Sequence, residues 1–191
     1  MSTGAASPWR KLDGVVIDAI EKGLTPGAAF VLSTPQEILH QGAYGIAEQR
    51  PNRRTVEMST VWDLASLTKI LCTAPLFMTW YDQQKIDLFA PLCEVLPEVP
   101  PEIRISDCLS HSSGYPAWRP FYAQFLRALD EWGSASLRRE FFKTVAKTPL
   151  SGQPTIQYAY SDIGFILLGA YAEQKFGQPL HVLPMCVCDP C

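Results

Sequence analysis

The chain has 191 residues and a formal net charge of −3, with its basic residues scattered, which leaves no electrostatic footprint for nucleic acid. Hydrophobic residues make up 47% and charged residues 18%, the balance of a globular protein rather than a disordered one, and no apolar run reaches the roughly 18 residues of a membrane span. One main folding unit with a sizeable core is expected, and neither nucleic acid nor a membrane is expected as a partner. The opening MSTGAASPWRKLDG lacks a basic segment followed by an apolar one, so no secretory or transit signal is read and a cytoplasmic protein is expected.

In chain order, PWRKLDGVVIDAIEKG places Trp9, Leu12, Val16, Ala19 and Ile20 at helical spacing and stops at Gly23. The apolar runs GAAFVLS and ILHQGAYGIA, separated by TPQE, predict an antiparallel hairpin of Ala28 to Ser33 with Ile38 to Gly45. The polar EQRPNRRTVEMST reads as a loop. A helix capped by Asp63 is predicted next, continuing through SLTKILCTAPLFMTWYDQQ with a bend at Pro75, where a backbone hydrogen bond is lost. After a Pro-rich run of short turns the pattern becomes helical around Ile105 to Ser110, then over Phe121 to Trp132 and Ala135 to Lys147. The last patterned segment, SDIGFILLGAYAEQKFG, sets Ile163, Ile166, Leu167, Ala170 and Tyr171 on one face and ends at Gly177.

Within the apolar stretch WDLASLTKILCTAPLF, Ser66 and Lys69 stand three residues apart, side by side on a helix. A serine hydroxyl is a weak nucleophile until a base takes its proton, and a lysine kept from water can be that base because desolvation lowers its pKa. Ser66 would fall in the first turn, where free N–H groups can stabilise an oxyanion. Ser-x-x-Lys alone arises by chance on the order of once per 200 residues. Thr144-Val-Ala-Lys147 has the same spacing in the charged LRREFFKTVAKT and reads as a solvated face. Lys69 instead stands among Leu64, Ala65, Leu67, Ile70, Leu71 and Leu76, so the spacing leaves a catalytic lysine and a snorkelling or paired one both open.

Cys72, Cys93 and Cys108 lie apart in apolar surroundings and read as small buried thiols. Cys186, Cys188 and Cys191 crowd into CVCDPC with His181 nearby, but no metal site is expected there.

Four blocks in order, WDLASLTKILCTAPLF, QKIDLFAPLCEVLPEV, ISDCLSHSSGYP and YAYSDIGFILLGAYAEQKFGQPL, resemble the serine β-lactamase-related hydrolases: class C β-lactamases, D-alanyl-D-alanine carboxypeptidases and family VIII esterases. The resemblance covers roughly Pro26 to Leu180. It implies an α/β (α+β) fold of the β-lactamase/transpeptidase kind, with Ser66 as nucleophile, Lys69 as its lysine and Tyr160 as proton relay. The family's Tyr-x-Asn falls on Tyr160-Ser161-Asp162. An alternative register sets Ser161-Asp162 on Ser-Asp-Asn, but Ile163 then replaces the asparagine, and the Tyr160 register is preferred. Asp162 is the expected substrate-binding residue, and as an ionised carboxylate it accepts but cannot donate. His111-Ser112-Ser113-Gly114-Tyr115-Pro116 resembles the family's His-Thr-Ser-Gly-Leu-Pro and reads as a structural turn, with Gly114 at an unusual backbone angle.

The implied activity is a serine hydrolase acting on a small-molecule ester or amide carbonyl through an acyl-enzyme, with no metal or organic cofactor. The family's third motif, Lys-Thr-Gly or His-x-Gly on a late strand, has no counterpart here, and HVLPMCVCDPC departs from the family. The expectation is therefore a C-terminally truncated domain over 1–180, with helix and hairpin in 9–45, a helical region in 62–180, an incomplete antiparallel sheet, and a divergent tail in 181–191. Losing an oxyanion donor costs about 100 to 1,000-fold in rate, and an incomplete sheet invites self-association. The alternative is a catalytically inactive fragment acting by binding a partner.

Overall fold

A computed structural model of the chain describes residues 8–125 and 134–183. Its backbone divides between Asp63 and Leu64 into two compact units.

In the first unit, helix α1 (Arg10–Glu21) is followed by β1 (Gly27–Ser33), β2 (Ile38–Glu48) and β3 (Arg54–Thr55), an antiparallel sheet in the order β1-β2-β3. Ala28 pairs with Tyr44, Phe30 with Gly42 and Leu32 with His40. Thr34 fixes the connection, its hydroxyl accepting the N–H groups of Gln36 and Glu37 at 3.3 and 3.1 Å, a side-chain turn of the kind that competes with regular structure. The hairpin was legible from its alternating runs, but the loop expected after it holds a third strand. β2 continues to Glu48, and Thr55 and Arg54 pair with Ile46 and Glu48, with the Arg54 guanidinium 2.7 Å from the Glu48 carboxylate. So short a strand has no period of its own, and its pairing comes from a neighbour. Asp13 of α1 meets His40 Nε2 of β2 at 2.7 Å, tying helix to sheet.

The second unit is helical. A π-helical turn, Lys69–Thr73, runs into α2 (Ala74–Asp82), followed by α3 (Ile105–Leu109), α4 (Tyr122–Phe125), α5 (Ala135–Ala146) and α6 (Asp162–Phe176). Helical backbone begins only at Leu67, so Asp63 stands too far upstream to cap it, contrary to the sequence expectation. The cause is Ala65, whose φ of +43° is a left-handed angle that an L-residue adopts at a cost of about 1–2 kcal/mol. Pro75 is accommodated by the wide turn ahead of it: Ala74 donates to the Lys69 carbonyl, five residues back, and Pro75 stands in the first turn of α2, where a missing N–H costs least. Of the helix expected over Phe121 to Trp132, only Tyr122–Phe125 is described, and the remainder lies outside the described residues, as does CVCDPC.

α6 forms the spine of this unit. Ile163, Leu167, Leu168, Tyr171 and Ala172 are buried, covering more of its circumference than one amphipathic stripe, which marks a helix enclosed by neighbours. Phe77 and Trp80 of α2 pack on it, Trp80 with its ring 4.2 Å from Phe176 and Phe77 at 6.0 Å from Tyr171. Gly177 ends α6 at φ +65°, the left-handed stop expected. α3 is held by the Asp107 carboxylate, which accepts the Arg104 N–H at 2.8 Å, and Cys108 is fully buried, its thiol pushed up to about 12 by burial and the neighbouring Asp107. Cys72 and Cys93 are only partly buried.

Candidate active site

The site is assembled from three places in the second unit. Ser66 follows Ala65 and precedes the first helical residue, so the strained Ala65 backbone leads directly into it; Ser66 itself is exposed. Such strain is stored where the surroundings over-determine it, and it clusters at functional sites. Lys69 opens the π turn, and its ammonium lies 3.5 Å from Ser66 Oγ and 2.6 Å from Asp162 Oδ1. It also stands 5.2 Å from the Tyr160 ring centre and 5.5 Å from that of Phe165, within the range of a cation–π contact. Tyr160 precedes α6, and Ser66 and Lys69 both act on its phenol, drawing its pKa down. The structure thus gathers Ser66, Lys69, Tyr160 and Asp162 into one cluster across a sequence separation of nearly a hundred residues.

Ser161 does not join them. It is buried and caps α6: its Oγ accepts the Gly164 N–H at 3.3 Å and donates to the Pro116 carbonyl at 2.8 Å. A hydroxyl spent on a cap and a buried carbonyl is not facing Ser66, which leaves the alternative Ser-Asp-Asn register without geometric support. The decoy also resolves as expected, with Lys147 exposed and the Thr144 hydroxyl bonded to the Glu140 carbonyl of its own helix at 2.9 Å.

The electrostatics differ from the sequence expectation. Burial pushes the Lys69 ammonium down, but hydrogen bonds to Asp162 and Tyr160 outweigh it, and the net shift is upward. The raised pKa favours the paired reading of Lys69, which the spacing had left open beside the catalytic one, over a lowered-pKa base. The departure from the family's asparagine explains why: it places a carboxylate 2.6 Å from an amine whose side chain is only 15% exposed, although its sequence neighbours Leu64, Leu67, Ile70 and Leu71 are themselves exposed. The group that moves toward base chemistry is Tyr160, pulled below the ordinary tyrosine range by hydrogen bonds from Ser66 and Lys69.

Two ring residues complete the site without having been read as part of it, Phe165 and His111. Phe165 could have been found only from the helical pattern of α6, and nothing local to His111 placed it beside Tyr160. The turn itself is as expected: Gly114 has φ +77°, and a Cβ there would stand 2.5 Å from the Gly152 carbonyl oxygen. Among the described residues no group of three His, Cys, Asp or Glu side chains could hold a metal ion, and no helix is long and apolar enough to cross a membrane.

Comparison with known proteins bears on this arrangement. The Beta-lactamase family model matches residues 12–183. An N-acetylmuramyl-L-alanine amidase of Bacillus subtilis (strain 168) is 31% identical over 192 residues, covering 91% of this chain and 42% of the relative. A protein named for D-alanyl-D-alanine carboxypeptidase activity in Escherichia coli O157:H7 is 28% identical, covering 89% of this chain and 42% of that protein. Among solved structures, the octameric penicillin-binding protein homologue from Pyrococcus abyssi superposes with a TM-score of 0.70 at 18% identity, over 91% of this chain and 40% of that one. A class C β-lactamase in complex with cefoxitin gives 0.67 at 19% identity, over 90% and 45%. These likenesses establish a β-lactamase/transpeptidase-like fold, and the chain spans less than half the length of each protein it matches here.

Proposed function

Because the chain belongs to the β-lactamase family, we propose that it is a serine hydrolase acting on an ester or amide carbonyl through an acyl-enzyme at Ser66. The observation that carries this reading is the cluster itself, with the Lys69 ammonium 3.5 Å from Ser66 Oγ, 2.6 Å from Asp162 Oδ1 and 5.2 Å from the centre of the Tyr160 ring; Ser66 and Lys69 also draw the Tyr160 pKa down. Tyr160 takes the Ser66 proton as Oγ attacks the carbonyl carbon. The tetrahedral intermediate then collapses, the C–O or C–N bond to the leaving group breaks, and Tyr160 returns the proton to that group. Lys69, kept charged by Asp162, stabilises the phenolate and orients Ser66 rather than deprotonating it. Water, activated by the same phenolate, releases the acid. Asp162 has one oxygen on Lys69 and is partly exposed at 39% of its side-chain surface; an ionised carboxylate there favours a substrate that offers it an N–H or a cation over one that offers a carbonyl. The names of the relatives, an amidase and a carboxypeptidase, support amide-like carbonyls as substrates, and a cytoplasmic setting would favour simple esters over cell-wall peptides.

The test is the intact mass of the protein after exposure to a fluorophosphonate and, separately, to a slowly hydrolysed ester, with Ser66→Ala as control. A single adduct on the wild type and none on the variant is expected. A folded wild type that takes up no adduct would remove the hydrolase reading and favour the second one, a catalytically silent chain acting by binding. That second reading draws on the exposure of Leu64, Leu67, Ile70 and Leu71 beside the site.

A further inference from the structure

His111 touches the segment Ala159-Tyr160-Ser161 at each of its three residues. Its carbonyl accepts the Ala159 N–H at 2.9 Å. Its ring lies 4.4 Å from the Tyr160 ring, tilted by 33°. Its Nδ1 accepts the Ser161 N–H at 3.0 Å. The imidazole is wedged between Tyr160 and Phe165, whose ring is 5.0 Å away on α6, with Tyr158 edge-on at 6.0 Å. His111 is itself held at φ +57°, a left-handed angle that histidine adopts more readily than most side chains. A turn residue needing only to reverse the chain would not require an aromatic ring with an unprotonated nitrogen aimed at a backbone N–H.

We propose that His111 is the positioning residue for Tyr160, seating the phenol against Ser66 and Lys69 only while its imidazole is neutral with Nδ1 free to accept. The proposal rests on the hydrolase reading for its catalytic consequence, but the seating is a structural statement of its own. A proton on Nδ1 would set one donor against another, the Ser161 N–H, and break the contact. Four titratable groups face the ring: Lys69 from the π turn, Tyr158 and Tyr160 from the segment before α6, and Asp162 from α6. Behind it, the His111 N–H donates to the Cys108 carbonyl of α3 at 3.3 Å, next to Asp107. Burial and the Lys69 cation lower the pKa of His111, with Asp162 and the backbone contact at Ser161 opposing. A native value below the unfolded one, about 6.5, means that the seating is intact above roughly pH 6.5 and is lost as pH falls through the lower native value.

The experiment compares wild type, His111→Asn and His111→Phe. Asparagine keeps an acceptor and tolerates positive φ but neither stacks nor titrates, and phenylalanine keeps the ring without the acceptor. Fluorophosphonate labelling of Ser66 is followed against pH, and the Tyr160 ring signals are followed by NMR in parallel. With Tyr160 as base, the logarithm of the labelling rate rises with a slope of about one proton per pH unit; below the His111 pKa the wild-type slope steepens to about two. Both variants are expected to stay near one, with Phe slower than Asn at neutral pH. In the wild type the Tyr160 signals should titrate together with the His111 ring, which should be protonated on Nε2 at neutral pH. A folded variant that keeps the steep limb, a His111 ring protonated on Nδ1 at neutral pH, or Tyr160 signals indifferent to His111 would each overturn the proposal. If the wild type takes up no label, the hydrolase reading falls, and the wild-type NMR titration alone decides the seating.

Discussion

In the proposed mechanism Ser66, Lys69 and Tyr160 divide the work of one proton transfer among three side chains. Lys69 is pinned by a carboxylate 2.6 Å away, which is why the proposal gives the base role to Tyr160. Tyr160→Phe should therefore cut the labelling rate of Ser66 by about 100 to 10,000-fold, the usual worth of a general base, while thermal unfolding moves little because Tyr160 is 42% exposed. Measured labelling of Tyr160→Phe at the wild-type rate would return the base role to the lysine. The pH dependence of the ion pair has the opposite sense to that of His111. Lys69 has a native pKa raised above its unfolded value of about 10.4, so its pairing contributes fully below that pH and fades as pH rises through the native value. The stability difference between wild type and Asp162→Asn in thermal melts should hold steady from about pH 7 to 9 and shrink above roughly pH 10.5. Ser66 and Lys69 were legible because the helical period alone makes them neighbours. The state of Lys69 was not, since the residue that sets it lies on another helix.

At the scale of elements, α6 carries the site because its start places Tyr160 before the helix, Ser161 at the cap and Asp162 as its first residue. Ser161 serves as cap and as donor to the Pro116 carbonyl. Ser161→Ala removes a cap and leaves that carbonyl without its partner, and should cost about 1–3 kcal/mol in denaturant unfolding. Gly169 lies inside α6, where an added Cβ would meet only the Leu180 side chain at an ordinary 3.5 Å. Gly169→Ala should gain up to about 1 kcal/mol from helix propensity, seen as a higher melting temperature, and a loss would reveal tighter packing than this distance implies. α1, the hairpin, α3, α5 and α6 were readable because each has its own period and punctuation. The start of the helix after Ser66 was misread because Ala65 stands at φ +43°, and no residue type marks that. β3 was missed because two residues carry no pattern.

Across the whole molecule, the core of the second unit is closed around α6, yet Leu64, Leu67, Ile70, Leu71 and Met78 remain exposed, Ile70 and Met78 at 63%. Apolar side chains recurring along one stretch form the kind of surface that monomeric proteins rarely leave open. The 191-residue chain alone is expected to self-associate at micromolar concentration in sedimentation velocity, and Leu67→Lys with Ile70→Lys should shift it toward monomer. A monodisperse wild type would end that expectation. The sequence by itself determined the family, the order of helices and hairpin, and the residues able to do chemistry, because periodicity, caps and motif spacing are local properties of a chain. Only the tertiary structure decided which of those residues meet and in which direction their neighbours shift their pKa. Lys69 faces Asp162, and His111 lies under Tyr160, because packing brings distant segments within a few ångströms, and protonation follows the neighbours in space rather than those in sequence.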